Sequence, residues 1–380
     1  MTVFSRRGRA ERAPAALAAR QAELEATGAS LVDLTGTNPT TCGLPVNAPA
    51  WPEVAEYVPA PLGLEVARVA VARHLGLQAV PSRVALTAST SEAYAWLLTA
   101  LCDAGDDVLV PHPGYPLLEA FAAYAGVRLS PYALRDEGTH WALDVPALLE
   151  AATPRTRAVV VVSPANPTGH LLREDELAAL SAVCAGRGWA LVVDEVFHDA
   201  ARHGLPVAGR QLPCLTFALG GLSKACGLPQ AKLAWTVVSG PPPLVDEALY
   251  RLEALGDAFL SVGSAVQHAA PALLAGGTAF RSAVSARVQE NHAALRARRR
   301  TDATWDVRPV HGGWAQVLRL PASRSEDATC LRALDAGVVV HPGWYYDFPS
   351  GAWLVLSLLA PPADFARGLE RLVPVLDATW

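Results

Sequence analysis

The sequence predicts an α/β protein with a large, mainly parallel sheet and a smaller α+β domain towards the C-terminus. Apolar, β-branched runs such as 158–162 and 190–193 are typical of parallel strands that are buried on both faces. These runs alternate with helical patterns, which indicates helices on both faces of one sheet. The chain has 380 residues, of which 51% are hydrophobic, so it is too long for one small core.

The predicted elements follow in order along the chain. The strands are 84–87, 107–110, 158–162, 190–194, 215–219 and 234–238, and the early helices are 10–27, 64–75 and 89–101. After three prolines, a helical stretch runs through residue 275, and a second spans about 279–300. Short strands at 315–320, 338–340 and 353–358 then mix with helices. We therefore expect an N-terminal segment (1–45) packed on the small domain, a large domain (46–275) and a small C-terminal domain (276–380).

Composition and charge argue against several classes of function. A net charge of −5 disfavours electrostatic binding of nucleic acid. The stretch 258–280 is long enough to cross a membrane, but its polar residues, proline and glycine pair favour a buried helix followed by a turn. Six cysteines without a CxxC pair fit reduced thiols, and no signal peptide is visible. We expect a cytoplasmic protein with no nucleic-acid and no membrane partner.

Three polar residues follow strands whose carboxyl ends should meet at one edge of the sheet. They are Asn166 in Asn-Pro-Thr-Gly, Asp194 at the end of 190–194, and Lys224 after Gly220 and Gly221. Ligands of open α/β sheets bind in the crevice at this edge. An amine that forms a Schiff base and a carboxylate that pairs with a pyridinium nitrogen are what pyridoxal phosphate needs. The sequence therefore predicts a pyridoxal 5'-phosphate enzyme with Lys224 and Asp194 as catalytic residues.

Each of the three residues has a simpler explanation when it is taken alone. A lysine usually lies in solvent, an Asp at a strand end often caps the next helix, and Asn-Pro is common in turns. The small residues before Lys224 are unusual around a solvated lysine, and all three residues occur together. We predict that Lys224 also moves a proton, that Asp194 keeps the ring nitrogen protonated, and that Asn166 donates to the phenolic oxygen of the cofactor.

A phosphate site is predicted where the segment 87–93 begins a helix. Ser89, Thr90 and Ser91 offer hydroxyls beside the free N–H groups of a helix N-terminus, which bind anions. The same segment also fits an ordinary cap, with Ser89 as the N-cap residue and Glu92 completing a capping box. Both interpretations are compatible. Tyr115, after the strand 107–110, is a candidate to stack on the cofactor ring, although it also fits a half-buried loop tyrosine.

This ordered set of motifs resembles the fold type I, class I and II aminotransferases over nearly the whole chain. The resemblance implies a mostly parallel seven-stranded sheet in the large domain and a homodimer with shared active sites. It also implies that Tyr57 reaches the phosphate in the neighbouring subunit and that Ser223, next to Lys224, binds the phosphate as well. The implied reaction moves an amino group from an amine or amino acid to a keto acid by a ping-pong mechanism. A lyase, decarboxylase or cyclising enzyme on the same scaffold stays open as an alternative.

Four positions depart from the family pattern. Phe197 stands where the family often has a Tyr that donates to the phenolic oxygen, and Gly221 replaces a Ser. Lys232 replaces an Arg that clamps the phosphate, which exchanges a two-pronged donor for one point charge. Val355 matches the Arg that holds the substrate carboxylate, and the strand 353–357 contains no Arg. The changes predict fewer side-chain contacts to the phosphate and a donor that is an amine or a modified amino acid.

Overall fold

The computed structural model describes residues 15–46, 52–53, 57–76, 80–116, 118–200 and 206–378. Its helices are α1 (Ala15–Ala26), α2 (Glu65–His74), α3 (Thr90–Leu101), α4 (Leu118–Ala125), α5 (Val145–Ala151), α6 (Glu174–Arg187), α7 (Leu222–Ala225), α8 (Pro242–Phe259), α9 (Ser264–Arg298), α10 (Glu326–Asp335) and α11 (Pro362–Asp377). Its strands are β1 (Val32–Asp33), β2 (Val84–Thr87), β3 (Asp107–His112), β4 (Arg128–Asp136), β5 (Trp141–Leu143), β6 (Thr156–Val162), β7 (Ala190–Asp194), β8 (Thr216–Gly221), β9 (Ala234–Ser239), β10 (Asp306–Val307), β11 (Ala315–Leu320), β12 (Val338–Val339), β13 (His341–Pro342) and β14 (Ala352–Ser357).

The large sheet has the strand order β2-β9-β8-β7-β6-β3-β4-β5. Strands β8, β7, β6, β3 and β4 pair in parallel, while β9 runs antiparallel to both β8 and β2. The predicted fold class, fold type I with a mostly parallel sheet, is confirmed. The sheet has eight strands, one more than the expected seven, because the short strand β5 pairs antiparallel with the end of β4.

Helices cover both faces of this sheet, as the continuous apolar runs predict. Along β6, Ala158 and Val160 pack into a core with α3, α4 and α8. The alternate residues Val159 and Val161 pack into a second core with α5 and α6. Successive side chains of a strand point to opposite faces, so a strand covered on both sides needs apolar residues at every position. The same rule explains why 158–162 of β6 and 190–193 of β7 contain only apolar residues, with Asp194 at the very end of β7.

Strand β4 was absent from the sequence prediction. It contains Pro131 and charged residues at both ends, which is unlike a buried strand. Residues 128–133 pair with β3 on one side, whereas β5 pairs only with 134–136, so Pro131 lies where one side of the strand is not bonded to β5. This position near the edge of the sheet tolerates a residue without an N–H donor.

The boundary between the two long helices was predicted wrongly. The expected turn at the glycine pair near residue 277 lies inside α9, and the break lies instead at 260–263, where Leu260 and Val262 have positive φ. Gly277 is needed for close packing, since a Cβ there would lie 2.6 Å from the sulfur of Cys226. Gly277, which predicts a turn from the sequence alone, therefore lies inside a helix and allows that helix to pack closely against Cys226.

The C-terminal part forms a second sheet of order β10-β11-β14-β13, which packs with α9 and α11 around a separate core. The N-terminal segment joins this part, because β1 pairs in parallel with β12 and Arg20 binds Asp335 at 2.8 Å. Helix α9 crosses residue 275, and the division into domains at that residue stays a prediction. Among the described residues, the helices include none with the length and apolar character needed to cross a membrane.

Candidate active site

A cavity of about 450 Å³ opens at the carboxyl ends of the parallel strands. The ends of β3, β6 and β7, the residues that follow β8 and the start of α3 all contribute to its wall. Residues from the small C-terminal sheet complete the wall on the opposite side. The fold therefore brings together the polar residues that follow different strands, at the place where open α/β sheets bind ligands.

Lys224 lies in the short helix α7, directly after β8, and lines the cavity. Gly220 precedes the last residue of β8, and the indole of Trp235 lies against its backbone, so a Cβ on Gly220 would be 2.4 Å from the indole nitrogen. The amine lies 4.8 Å from the ring centre of Trp314 and 5.6 Å from that of Phe197. Burial lowers the pKa of Lys224 from 10.5 to about 8. About a tenth of the amine is therefore neutral at pH 7, far more than for a lysine in water, and the neutral form is the nucleophile.

Asp194 is the last residue of β7, and its carboxylate is held by two donors. The N–H of Val196 donates to Oδ1 at 3.0 Å, and the hydroxyl of Tyr94 donates to Oδ2 at 2.9 Å. Burial raises the pKa of Asp194, while these two hydrogen bonds act in the opposite direction. Asp194 lines the same cavity as Lys224, so an amine and a carboxylate face one enclosed space.

The start of α3 supplies hydroxyls and free N–H groups to the cavity wall. Thr90 and Ser91 are the first residues of the helix, and both line the cavity. Ser89 is the N-cap residue: its hydroxyl accepts from the N–H of Glu92 at 3.1 Å. The carboxylate of Glu92 accepts from the N–H of Ala88 at 2.6 Å. The segment is therefore both an ordinary capped helix start and a possible anion site, since Ser89 caps the helix and its first turn is directed at the cavity.

Four further predicted residues line the cavity, namely Asn166, Ser223, Tyr115 and Phe197. The ring of Phe197 packs edge-on against Trp314, with ring centres 5.3 Å apart. Tyr115 is 52% exposed, so within one chain it is only partly enclosed. Together with Lys224, Asp194, Thr90 and Ser91, these residues form one contiguous wall.

The structure does not bring Ser89, Lys232 and Tyr57 to the cavity wall of a single chain. Ser89 faces its own helix as a cap, as described above. Lys232 is exposed and follows a single 3₁₀ turn, with φ at 52°. Tyr57 is 66% exposed. The predicted contacts of these three side chains with a phosphate stay predictions.

Several cavity residues were not found from the sequence. Tyr94 belongs to the apolar-rich helix α3, and Trp314 precedes a strand of the small sheet, so neither carries a motif. Thr35 and Thr37 lie just after β1, and His341 begins β13. Tyr94 could have been predicted as a site residue from its spacing, because it lies one helical turn after Thr90 and Ser91 and so on the same face of α3.

The charges around the cavity are mostly acidic. Glu119, Asp194 and Asp347 line it, and among the described residues of its wall Lys224 is the only lysine or arginine. Burial lowers the pKa of His112 and of His341, so both imidazoles are neutral near pH 7. Val355 also lines the cavity, at the position where the resemblance implies an Arg. A substrate carboxylate at that position would meet an apolar side chain.

The residues that this cavity presents fit pyridoxal 5'-phosphate. An aldehyde requires an amine with a lowered pKa, a pyridine nitrogen requires a buried carboxylate, and a phosphate requires donors at a helix start. Lys224, Asp194 and the first turn of α3 meet these three requirements on one wall.

Comparisons of sequence identify the relatives of this chain. The profile of the family described as aminotransferase class I and II matches residues 49–372. Nicotianamine aminotransferase A of Hordeum vulgare is 27% identical over 333 residues, which are 82% of this chain and 71% of that protein. The probable N-succinyldiaminopimelate aminotransferase of Mycobacterium tuberculosis is 33% identical over 201 residues, which are 50% of each chain. The second match therefore spans only half the length of the relative.

Solved structures of aminotransferases share the whole fold. A single mutant of the aspartate aminotransferase of Thermus thermophilus superposes with a TM-score of 0.82 and 26% identity, covering 99% of this chain and 100% of that one. An alanine aminotransferase of Pyrococcus furiosus gives a TM-score of 0.86, covering 98% and 99% of the two chains. Its identity of 20% supports the fold alone.

Proposed function

Because the chain belongs to the class I and II aminotransferase family, whose members depend on pyridoxal phosphate, we propose that it transfers an amino group from an amine or amino-acid donor to a keto acid. The observation that carries the proposal is the shared cavity of Lys224 and Asp194. When bound, the cofactor accepts the electrons released from the substrate's α-carbon. The two half-reactions would follow one another in a ping-pong order, so that the product of the donor leaves the cavity before the keto acid binds.

The proposal gives each predicted site residue a defined role. Lys224 binds the cofactor through its amine and moves the proton at the substrate carbon. Asp194 faces the ring nitrogen, and Asn166 orients the ring. Thr90, Ser91 and Ser223 bind the phosphate, with Ser89 shaping the helix start, while Tyr115 and Phe197 enclose the ring. Lys232 adds positive charge near the phosphate.

We also propose that the protein is a cytoplasmic homodimer with shared active sites. The exposed, apolar side chains of Tyr57, Val58, Leu244, Tyr250 and Phe259 support an association surface. Tyr57 does not line the cavity of its own chain, which fits a role in the site of a second copy. The six cysteines are all free, which agrees with a reducing compartment.

Mixing two impaired variants tests the shared site. A Lys224→Met chain and a Tyr57→Ala chain each lack one necessary group. A hybrid of the two contains one site with both groups intact, so activity should return when the chains are mixed and refolded together. Each variant refolded alone serves as the control, and mixtures that stay as inactive as the controls would contradict the shared site.

For the donor, we propose an amine or an amino acid whose carboxylate is absent or modified. A buried carboxylate needs a charged or hydrogen-bonded partner, and leaving it unpaired costs several kcal/mol. Val355 offers no such partner, and Asp347 adds a repelling charge. The aromatic side chains of Phe197, Trp314 and Tyr345 instead suit an apolar or aromatic body.

Matched donors test the reaction and its substrate class together. Phenylethylamine and phenylalanine differ only in the carboxylate, and alanine, nicotianamine and N-succinyldiaminopimelate represent the donors named for the relatives. We expect a higher kcat/KM for the amine, and a Val355→Arg variant should shift the preference towards phenylalanine by tenfold or more. Release of ammonia without a keto-acid acceptor would contradict transamination. Saturation of the parent by low concentrations of alanine would contradict only the substrate class.

A further inference from the structure

The hydrogen bond between Tyr94 and Asp194 joins helix α3 to the end of the central strand β7. Tyr94 lies in the second turn of α3, is 7% exposed and stacks on Phe121 with ring centres 6.3 Å apart and planes 11° apart. Its hydroxyl donates to Oδ2 of Asp194 at 2.9 Å, and it lines the cavity. The stacking of the Tyr94 ring on Phe121 fixes the position of the hydroxyl, so the packing of the core holds the hydrogen bond to Asp194 in place.

This contact leaves the carboxylate able to bind a further donor. Each carboxylate oxygen has about two acceptor sites, and the structure uses one on each oxygen, for Val196 and for Tyr94. The remaining acceptor sites stay available to the cavity that Asp194 lines. Burial and the nearby carboxylate hold the pKa of Tyr94 well above its usual range, so the hydroxyl stays protonated and donates.

We propose that Tyr94 is a positioning residue that orients Asp194 towards the cavity and keeps its carboxylate ionised, so that the proton shared with the cofactor's ring nitrogen stays on the ring. A hydrogen bond to an ionised group is stronger than one to a neutral group, so Tyr94 stabilises the anionic form of Asp194 selectively. Without that donor, the buried carboxyl would take the proton itself, because burial disfavours its charged form. The inference rests on the proposed function, since it requires a pyridine ring in this cavity.

The test measures the ring nitrogen directly. The holoprotein is prepared with cofactor labelled with ¹⁵N in the ring, and its NMR signal reports whether that nitrogen carries a proton. Tyr94→Phe removes one hydroxyl and keeps the stacked ring. We expect the ratio of protonated to unprotonated ring nitrogen to fall by about tenfold, which is the loss expected for one hydrogen bond to a charged group.

Tyr132→Phe is the matched control. The hydroxyl of Tyr132 is equally buried and donates to the carbonyl oxygen of Val160 at 2.8 Å, without touching Asp194. Both variants lose one buried hydrogen bond, so a general loss of packing would affect them alike. A ring-nitrogen signal that moves equally in both variants, or in neither, would overturn the inference.

A double-mutant cycle separates positioning from structure. In the Asp194→Asn background, the side chain at 194 can no longer carry a negative charge. Adding Tyr94→Phe to this background should lower kcat by at most about twofold, whereas Tyr94→Phe should lower kcat about tenfold in the parent. Equal effects in both backgrounds would contradict the inference. If Tyr94→Phe does not fold, 3-fluorotyrosine at position 94 provides a stronger donor, and the signal must then move towards the protonated ring.

Failure of the proposed function gives a different result. A parent protein that binds no pyridoxal phosphate, or binds it away from Lys224, contradicts the function itself. A parent that binds the cofactor normally, with an unmoved signal in Tyr94→Phe, contradicts only the role of Tyr94.

Discussion

The buried amine of Lys224 should destabilise the cofactor-free protein at neutral pH. Its pKa falls from 10.5 to about 8 on burial, and the cause is desolvation. Because the unfolded chain then binds more protons than the folded one, the stability of the protein rises with pH between about 8 and 10.5. Below pH 8 the folded state bears nearly the full cost of a buried ammonium group.

Replacing Lys224 by Met removes this cost while keeping a flexible apolar stem. A shift of one pKa unit corresponds to about 1.4 kcal/mol, so the Met variant should be more stable by about 3 kcal/mol at pH 7. At pH 9.5 much of the cost has gone, and the gain should shrink to about 1.5 kcal/mol. The attraction of the ammonium to the ring of Trp314 reduces mainly the value at pH 7, because the folded amine is mostly neutral at pH 9.5.

Urea unfolding of the cofactor-free proteins at the two pH values measures the difference. All samples are compared at one protein concentration, because association adds to apparent stability. Lys232→Met is the control, since that side chain is exposed and stays in water in both states. A gain for Lys224→Met that is the same at pH 7 and pH 9.5 would refute the reasoning, because burial would then not act on the charge.

Three further predictions concern the cofactor and the packing. Phe197→Tyr adds a hydroxyl donor for the phenolic oxygen, so the pKa of the bound cofactor, read from its visible absorbance, should fall; an unchanged titration would count against a contact at this position. Lys232→Ala should lose cofactor during dialysis faster than the parent, and full retention would show that Lys232 does not hold the phosphate. Gly277→Ala should destabilise the protein by about 1–3 kcal/mol through overpacking against Cys226. Gly186→Ala in α6, where a Cβ meets no atom within 4 Å, should instead stabilise it by up to about 1 kcal/mol in thermal unfolding, and a like response of both variants would contradict the packing argument.

The sequence predicts the parts of this fold that depend on burial. Strands β6 and β7 lie in the middle of the sheet, so their apolar runs and the polar residues that end them are visible in sequence. Strand β4 lies near the edge and contains a proline, so local pattern misses it. The break at 260–263 carries no glycine at its two positive-φ residues, while the glycine pair near 277 packs within a helix.

The candidate site likewise contains residues that the sequence predicts and residues that only the fold brings together. Lys224, Asp194 and Asn166 each follow a predicted strand, and strand order alone places them at one edge. Tyr94 and Trp314 reach the cavity through tertiary packing, one from a helix and one from the small sheet, and no spacing in the sequence relates either to Asp194 or Lys224. The exposure of Tyr57 and Lys232 likewise depends on the folded surface.

Borohydride reduction of the holoprotein tests the proposed cofactor linkage most directly, because it converts a Schiff base into a stable bond. The chain contains two lysines, at 224 and 232, so peptide mass mapping assigns the label without ambiguity. We predict one pyridoxyl group per chain on Lys224 and none on Lys232. Label on Lys232 or at the N-terminus, or no label after the cofactor has been added in excess, would contradict the assignment of Lys224 as the residue that holds the cofactor.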